Sequence, residues 1–141
     1  SIPLNLTGLY SQVALLSGVP DYVFYRHSQP GEPVGDFGVI ELKRPDHALL
    51  GTYSLKIIVP SRSVRVAQQE VARHLSALKA GQFKNSSDFF AVGNRQHAII
   101  IVGRTSELVE KCKNETQLMQ FKELVPQGMQ LYTYCPGSAG M

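Results

Sequence analysis

The residues whose types and spacing could do chemistry lie in Gly38-Val39-Ile40-Glu41-Leu42-Lys43-Arg44-Pro45. An apolar run carries a glutamate and a lysine two positions apart and then stops at a proline. Two positions apart on a strand means one face, so acid and base point into the same space. Asp21, after Pro20, adds a second carboxylate if the chain between them turns back on itself. Two hard oxygen donors beside an ammonium suit a divalent cation such as Mg²⁺, with Mn²⁺ as a substitute. The Leu42 backbone carbonyl supplies a further oxygen. Lys43 can orient or deprotonate an attacking water, or neutralise charge that develops on a phosphoryl group. Lysine does this better than arginine because its charge is compact and its pKa movable. Together these residues suit metal-dependent phosphodiester hydrolysis.

The elements that must position them can be read outwards from this stretch. Asp21 to Arg26 is aromatic and β-branched, a strand composition. Ser28-Gln29-Pro30-Gly31-Glu32-Pro33 is turn chemistry, and Phe37 to Lys43 reads as the returning strand. Asp21 and Glu41 each stand ten positions from Gly31, so a turn centred there sets them opposite one another. Directly opposed side chains share a face, with Cβ atoms about 4.5–5.5 Å apart. Asp36, five positions from Glu41, falls on the other face.

Upstream, Leu9, Val13, Leu15 and Leu16 suggest a short helix over roughly 8–17, closed by Gly18. Downstream, Tyr53 to Val59 fits a short edge strand or a packed loop. Ser61 or Ser63 can cap a helix over about 63–80 with an apolar stripe of Val64, Ala67, Val71, Leu75 and Leu78. In the polar stretch that follows, Phe89 and Phe90 are expected to pin the chain to the core. His97 to Gly103 is an unbroken apolar run suited to a buried parallel strand, so residues 37–103 read as strand, helix, strand. Thr105-Ser106 can cap one long helix to about 123, with Leu108, Cys112 and Met119 inward, and Met129 to Tyr134 closes as a strand. The fold class expected is α/β: a mixed central sheet made of an antiparallel hairpin and parallel crossover strands, flanked by helices. The chain reads as one domain over 1–141, cut from a longer protein, with a frayed tail over 136–141.

Bulk properties narrow the options. Apolar content of 43% and charged content of 18% fit a globular chain rather than a disordered one. No apolar run reaches the roughly 18–20 residues of a membrane span, and Ser1-Ile2-Pro3-Leu4-Asn5 is not a signal peptide. Two cysteines are too few for a disulfide framework or a cysteine-rich zinc site, which points to reduced thiols and a cytoplasmic location. The net charge of +3 is a mild bias towards polyanions, concentrated in Lys43, Arg44, Lys56, Arg62, Arg65 and Arg73. Of these, Arg44, Lys56 and Arg62 are the candidates for nucleic-acid phosphate contacts. The four histidines fall at no metal-ligand spacing, and His47 reads as a loop residue.

Pro20-Asp21 followed by Glu41-Leu42-Lys43 resembles the PD-(D/E)xK pattern of restriction-endonuclease-like nucleases. The ordered set of Glu41 to Asp46, the glutamine-bearing helix near 68, Ile99 to Arg104 and Leu131 to Tyr134 resembles the nuclease domain of Shedu-type bacterial anti-phage defence proteins, over roughly 20–134. The resemblance implies a restriction-endonuclease-like sheet, Mg²⁺-dependent DNA cleavage, and action within a homo-oligomer. It also implies a glutamine on the crossover helix. Gln68 and Gln69 both compete for that role, and Gln68 shares the face of Val71 and Leu75. Where relatives carry an acid on the helix before the hairpin, this chain has none and offers Gln12. The leading expectation is a Mg²⁺-dependent endonuclease. Beside it stand a nuclease-like module that binds nucleic acid or a protein without cutting, and a structural or oligomerisation domain.

Overall fold

A computed structural model describes residues 8–27, 34–54, 57–84, 95–112 and 114–135. Lys56, Phe89, Phe90, the 28–33 turn and the 136–141 tail lie outside the described residues. The chain is mixed α/β. Its elements in order are β1 (Gly8–Tyr10), β2 (Tyr22–His27), β3 (Val34–Leu42), β4 (Leu50–Ser54), β5 (Ile57–Pro60), α1 (Arg62–Lys79), β6 (Arg95–Arg104), α2 (Thr105–Lys111), α3 (Glu115–Glu123) and β7 (Met129–Tyr134). One five-stranded sheet runs β1-β2-β3-β6-β7, and β4 pairs with β5 alone. The β1, β2 and β3 pairings are antiparallel, whereas β3, β6 and β7 run parallel. Among the described residues no helix is long and apolar enough to cross a membrane.

Two-residue alternation sorts the sheet into faces. Val23, Phe37, Val39, Ala98, Ile100 and Val102 form one core with Val64, Ala67, Val71 and Leu78 of α1. Phe24, Ile40 and Ile99 cluster separately on the opposite face. Since Phe37 and Val39 face α1, the strand period carries Glu41 to the same side. The helix begins where the sequence predicts. Ser61 adopts an extended conformation, and its hydroxyl accepts the Val64 N–H at 3.2 Å. That hydroxyl also donates to the Ala48 carbonyl, which ties the start of the helix to the loop after β3. The same loop is held from α2, where the Glu107 carboxylate accepts the N–H groups of Leu49 and Leu50 at 2.8–3.1 Å.

Four expectations are corrected. The expected helix over 8–17 is instead the edge strand β1 and a tight turn in which Leu15 and Gly18 exchange backbone hydrogen bonds. A helix that short is marginal, whereas β1 hydrogen-bonds to β2 and stacks Tyr10 on Tyr25 at 5.9 Å. Gly18 serves the turn at φ +126°, and Gln12 has φ 61°, which breaks any helical run. The stretch expected to be a short edge strand or a packed loop forms a two-stranded ladder of its own. The long final helix is two. Cys112 turns extended, and Asn114 starts α3 by accepting the Gln117 N–H at 3.0 Å. That restart rephases the helix, so Phe121 is buried and Met119 is exposed. Finally, Thr105 does not cap α2: its hydroxyl bonds to Thr133 at 2.6 Å and to the Tyr134 carbonyl.

Candidate functional site

The hairpin register is the one expected from the sequence. Tyr22 pairs with Ile40 and Val23 with Val39, so one further step sets Asp21 across from Glu41. The irregularity between Arg26 and His27 lies at the far end and leaves this pairing intact. The Asp21 carboxylate accepts the Leu42 N–H at 2.7 Å. The Asp21 backbone N–H in turn bonds to the Glu41 carboxylate. The two acids are thus joined crosswise where β2 gives out. A strand residue directs its N–H and carbonyl to the same side. The Leu42 carbonyl therefore faces the Asp21 edge.

Glu41 is only 6% exposed. Burial pushes its pKa up to about 7, with repulsion from Asp21 and then Glu70 adding to the rise and Lys43 opposing it. Lys43 lies on the same face, and its Nζ is 3.2 Å from Glu70 Oε2 on α1. Its backbone is fixed on both sides: the N–H donates to the Ile101 carbonyl at 2.8 Å, and the Lys43 carbonyl accepts the Tyr134 hydroxyl at 2.9 Å. His74, buried on α1, places Nε2 3.9 Å from Glu41 Oε1, and its Nδ1 is 2.8 Å from the Ser17 hydroxyl. Burial, aided by Arg73, holds the His74 pKa below its ordinary value against the pull of Glu70 and Asp21. A neutral imidazole beside a carboxyl that resists ionisation is a consistent pair.

Glu70, His74 and Ser17 were not singled out in the sequence. A signal for the first two exists. Glu70 and His74 are one turn apart, and His74 falls between Val71 and Leu78 on the buried side of α1. Gln68 is half-buried, and its Nε2 is buried with no hydrogen-bond partner among the described residues. It sits about 160° around the helix from Glu70, so the two cannot face one carboxylate together. Gln69 is exposed. Asp36 is on the opposite face as expected, buried and ion-paired with Arg26.

Among the described residues no three His, Cys, Asp or Glu side chains converge as a metal cluster. The donor set nevertheless fits a divalent cation. Three carboxylates crowd one end of the sheet, and that crowding helps to keep Glu41 from ionising. A small dication would relieve the repulsion, and Mg²⁺ bound through one or two carboxylates keeps several waters. Of the basic candidates, Arg44 is engaged by Asp46, with Nε 3.0 Å from Oδ1, and projects into solvent. Arg62 lies at the start of α1 and lines, with Lys43, His47, Ser63 and Val66, a cleft of about 220 Å³ next to the carboxylates.

In class, then, this is a mixed α/β chain with a buried carboxylate and a lysine, held by a hairpin and a crossover helix, open at one sheet end. No family model matches the chain, and neither a curated protein nor a solved structure matches it.

Proposed function

We propose that the chain is a Mg²⁺-dependent endonuclease domain that hydrolyses DNA phosphodiester bonds. In this reading its sheet has the restriction-endonuclease-like arrangement, and its source is a cytoplasmic, homo-oligomeric anti-phage defence protein of the Shedu type. The observation that carries the proposal is the convergence of Asp21, Glu41 and Lys43 at one sheet end. Asp21, Glu41 and the Leu42 carbonyl would hold Mg²⁺. When bound, such an ion supplies Lewis acidity and makes a bound water easier to deprotonate. Lys43, oriented by Glu70, presents its ammonium to the phosphoryl oxygens and offsets charge that develops there. Asp21 holds the Leu42 N–H, which keeps the end of β3 from fraying as substrate enters. His74, braced by Ser17, packs against Glu41 and keeps water from its buried side.

The test is cleavage of duplex DNA with Mg²⁺ against EDTA, by wild type, Glu41→Gln and Lys43→Ala. Each substitution is expected to slow cleavage by about 10²-fold or more. A wild-type chain that cuts nothing, or variants that cut normally, would end the catalytic reading.

A second reading is a nuclease-like domain that binds nucleic acid or a protein partner without cutting. The observation favouring it is that Lys43 is already paired with Glu70. Calorimetric Mg²⁺ titration separates the two, since a pure binder takes up no cation at Asp21 and Glu41.

A further inference from the structure

Beside the carboxylates, the cleft of about 220 Å³ is walled by Lys43, His47, Arg62, Ser63 and Val66. Two of these residues are cationic and one is an imidazole, and among the described residues no acidic one lines the cleft. The first turn of α1 contains no acid either. His47 is half-buried, and its Nδ1 is buried with no hydrogen-bond partner among the described residues. A buried polar atom left unpaired costs about 1–3 kcal/mol, so its persistence calls for a reason. His47 borders this basic cleft as well as one lined by Asp46, Glu107 and Glu110, and an anion seated in the basic cleft would offer an oxygen to an imidazole N–H.

Helix geometry connects this cleft to the site. Arg62, Val66, Glu70 and His74 follow one another at four-residue intervals along one side of α1. The first two wall the cleft, and the last two touch Lys43 and Glu41. Arg62 to Glu70 spans about 12 Å of helix axis. Lys43 belongs to both places. A single phosphate in front of Glu41 would leave the cleft idle. A strand carrying a phosphate at every nucleotide would fill both at once, with the exposed Val66 side chain against a sugar.

We infer that the cleft is a second phosphate seat, in which His47 and Arg62 hold a backbone phosphate neighbouring the one presented to Glu41. The substrate class is then a polynucleotide strand, not a mononucleotide or a free phosphate ester. This rests on the nucleic-acid reading above, but its test needs no cleavage.

The experiment is binding of a fluorescently labelled DNA duplex to the full chain in EDTA, followed by anisotropy over a salt series. Arg62→Ala should weaken binding about tenfold and lower the slope of log K against log salt by about one. His47→Ala should weaken it about fivefold, and His47→Asn, whose amide stands near the Nδ1 position, should restore most of that loss. Inorganic phosphate and a mononucleotide, at matched ionic strength, should not displace the strand. The inference is overturned if Arg62→Ala and His47→Ala bind within about twofold of wild type. It is also overturned if Arg65→Ala, outside the cleft, costs as much as Arg62→Ala, or if the mononucleotide competes as well as the strand. Binding without Mg²⁺-dependent cleavage would count against the endonuclease alone. Cleavage with unchanged binding in the cleft variants would count against the second seat alone.

Discussion

Replacing Glu41 by glutamine keeps the shape of the side chain and removes its charge. The folded chain holds this carboxyl at a pKa of about 7, against 4.5 for an unburied glutamate. As pH rises through that window, the unfolded chain releases the proton and the folded chain keeps it. The folded state then binds more protons, so stability falls with rising pH. At about 1.4 kcal/mol per unit, the loss is about 3 kcal/mol, complete once pH exceeds about 7. Glutamine cannot ionise and still accepts the Asp21 N–H, so Glu41→Gln should lack this slope. Urea unfolding in EDTA, on both sides of the window, gives the difference directly, because every other titrating group is shared. Below the window the stability gap between the proteins is constant; above it the variant should gain up to about 3 kcal/mol. A gap that changes by less than about 0.5 kcal/mol across the window would refute the view that Glu41 is buried among like charges.

Mg²⁺ should reverse this penalty. At about 100 times its Kd it would stabilise the wild type by about 2.7 kcal/mol, read as a rise in thermal midpoint, and Asp21→Asn and Glu41→Gln should lose most of that rise. Glu70→Gln releases Lys43 from its ion pair and should slow cleavage about tenfold while leaving duplex binding within about twofold. An unchanged rate would show that Lys43 needs no support from α1. Ser61→Ala removes both the helix cap and the bond to Ala48. It should cost about 1–2 kcal/mol in urea unfolding with an unchanged m value.

What could be read in advance depended on whether a pattern had a single physical cause. The hairpin register was legible because counting outwards from Gly31 in the sequence sets which residues oppose, and Asp21 and Glu41 fell out of that count. Helix α1 was legible because its stripe answers to a core. The N-terminal helix failed for the converse reason: Leu9 and Leu16 have helical spacing but are 51% and 64% exposed, so no core enforces it. The break between α2 and α3 was masked by apolar residues that continue in phase past Cys112. Glu70 and His74 escaped because polar residues beside an apolar stripe look solvated until the opposite wall is known to be Glu41 and Lys43. Gln68 was favoured because its face was judged from Val71 and Leu75, and the structure gives it a half-buried place on the side of α1 away from Glu70.

The Tyr134 hydroxyl that grips the Lys43 carbonyl reaches across 91 positions of sequence. Asp21, Glu41 and Lys43 emerge in synthesis before the site residues of α1, and Glu70 and His74 follow. The tie that fastens the lysine's backbone arrives only with β7. A nascent chain that has made the hairpin and α1 thus carries the acids with the lysine's strand end unfastened, and docking of β7 against β6 can only follow. For a chain proposed to cut DNA, that order delays competence until synthesis has passed Tyr134.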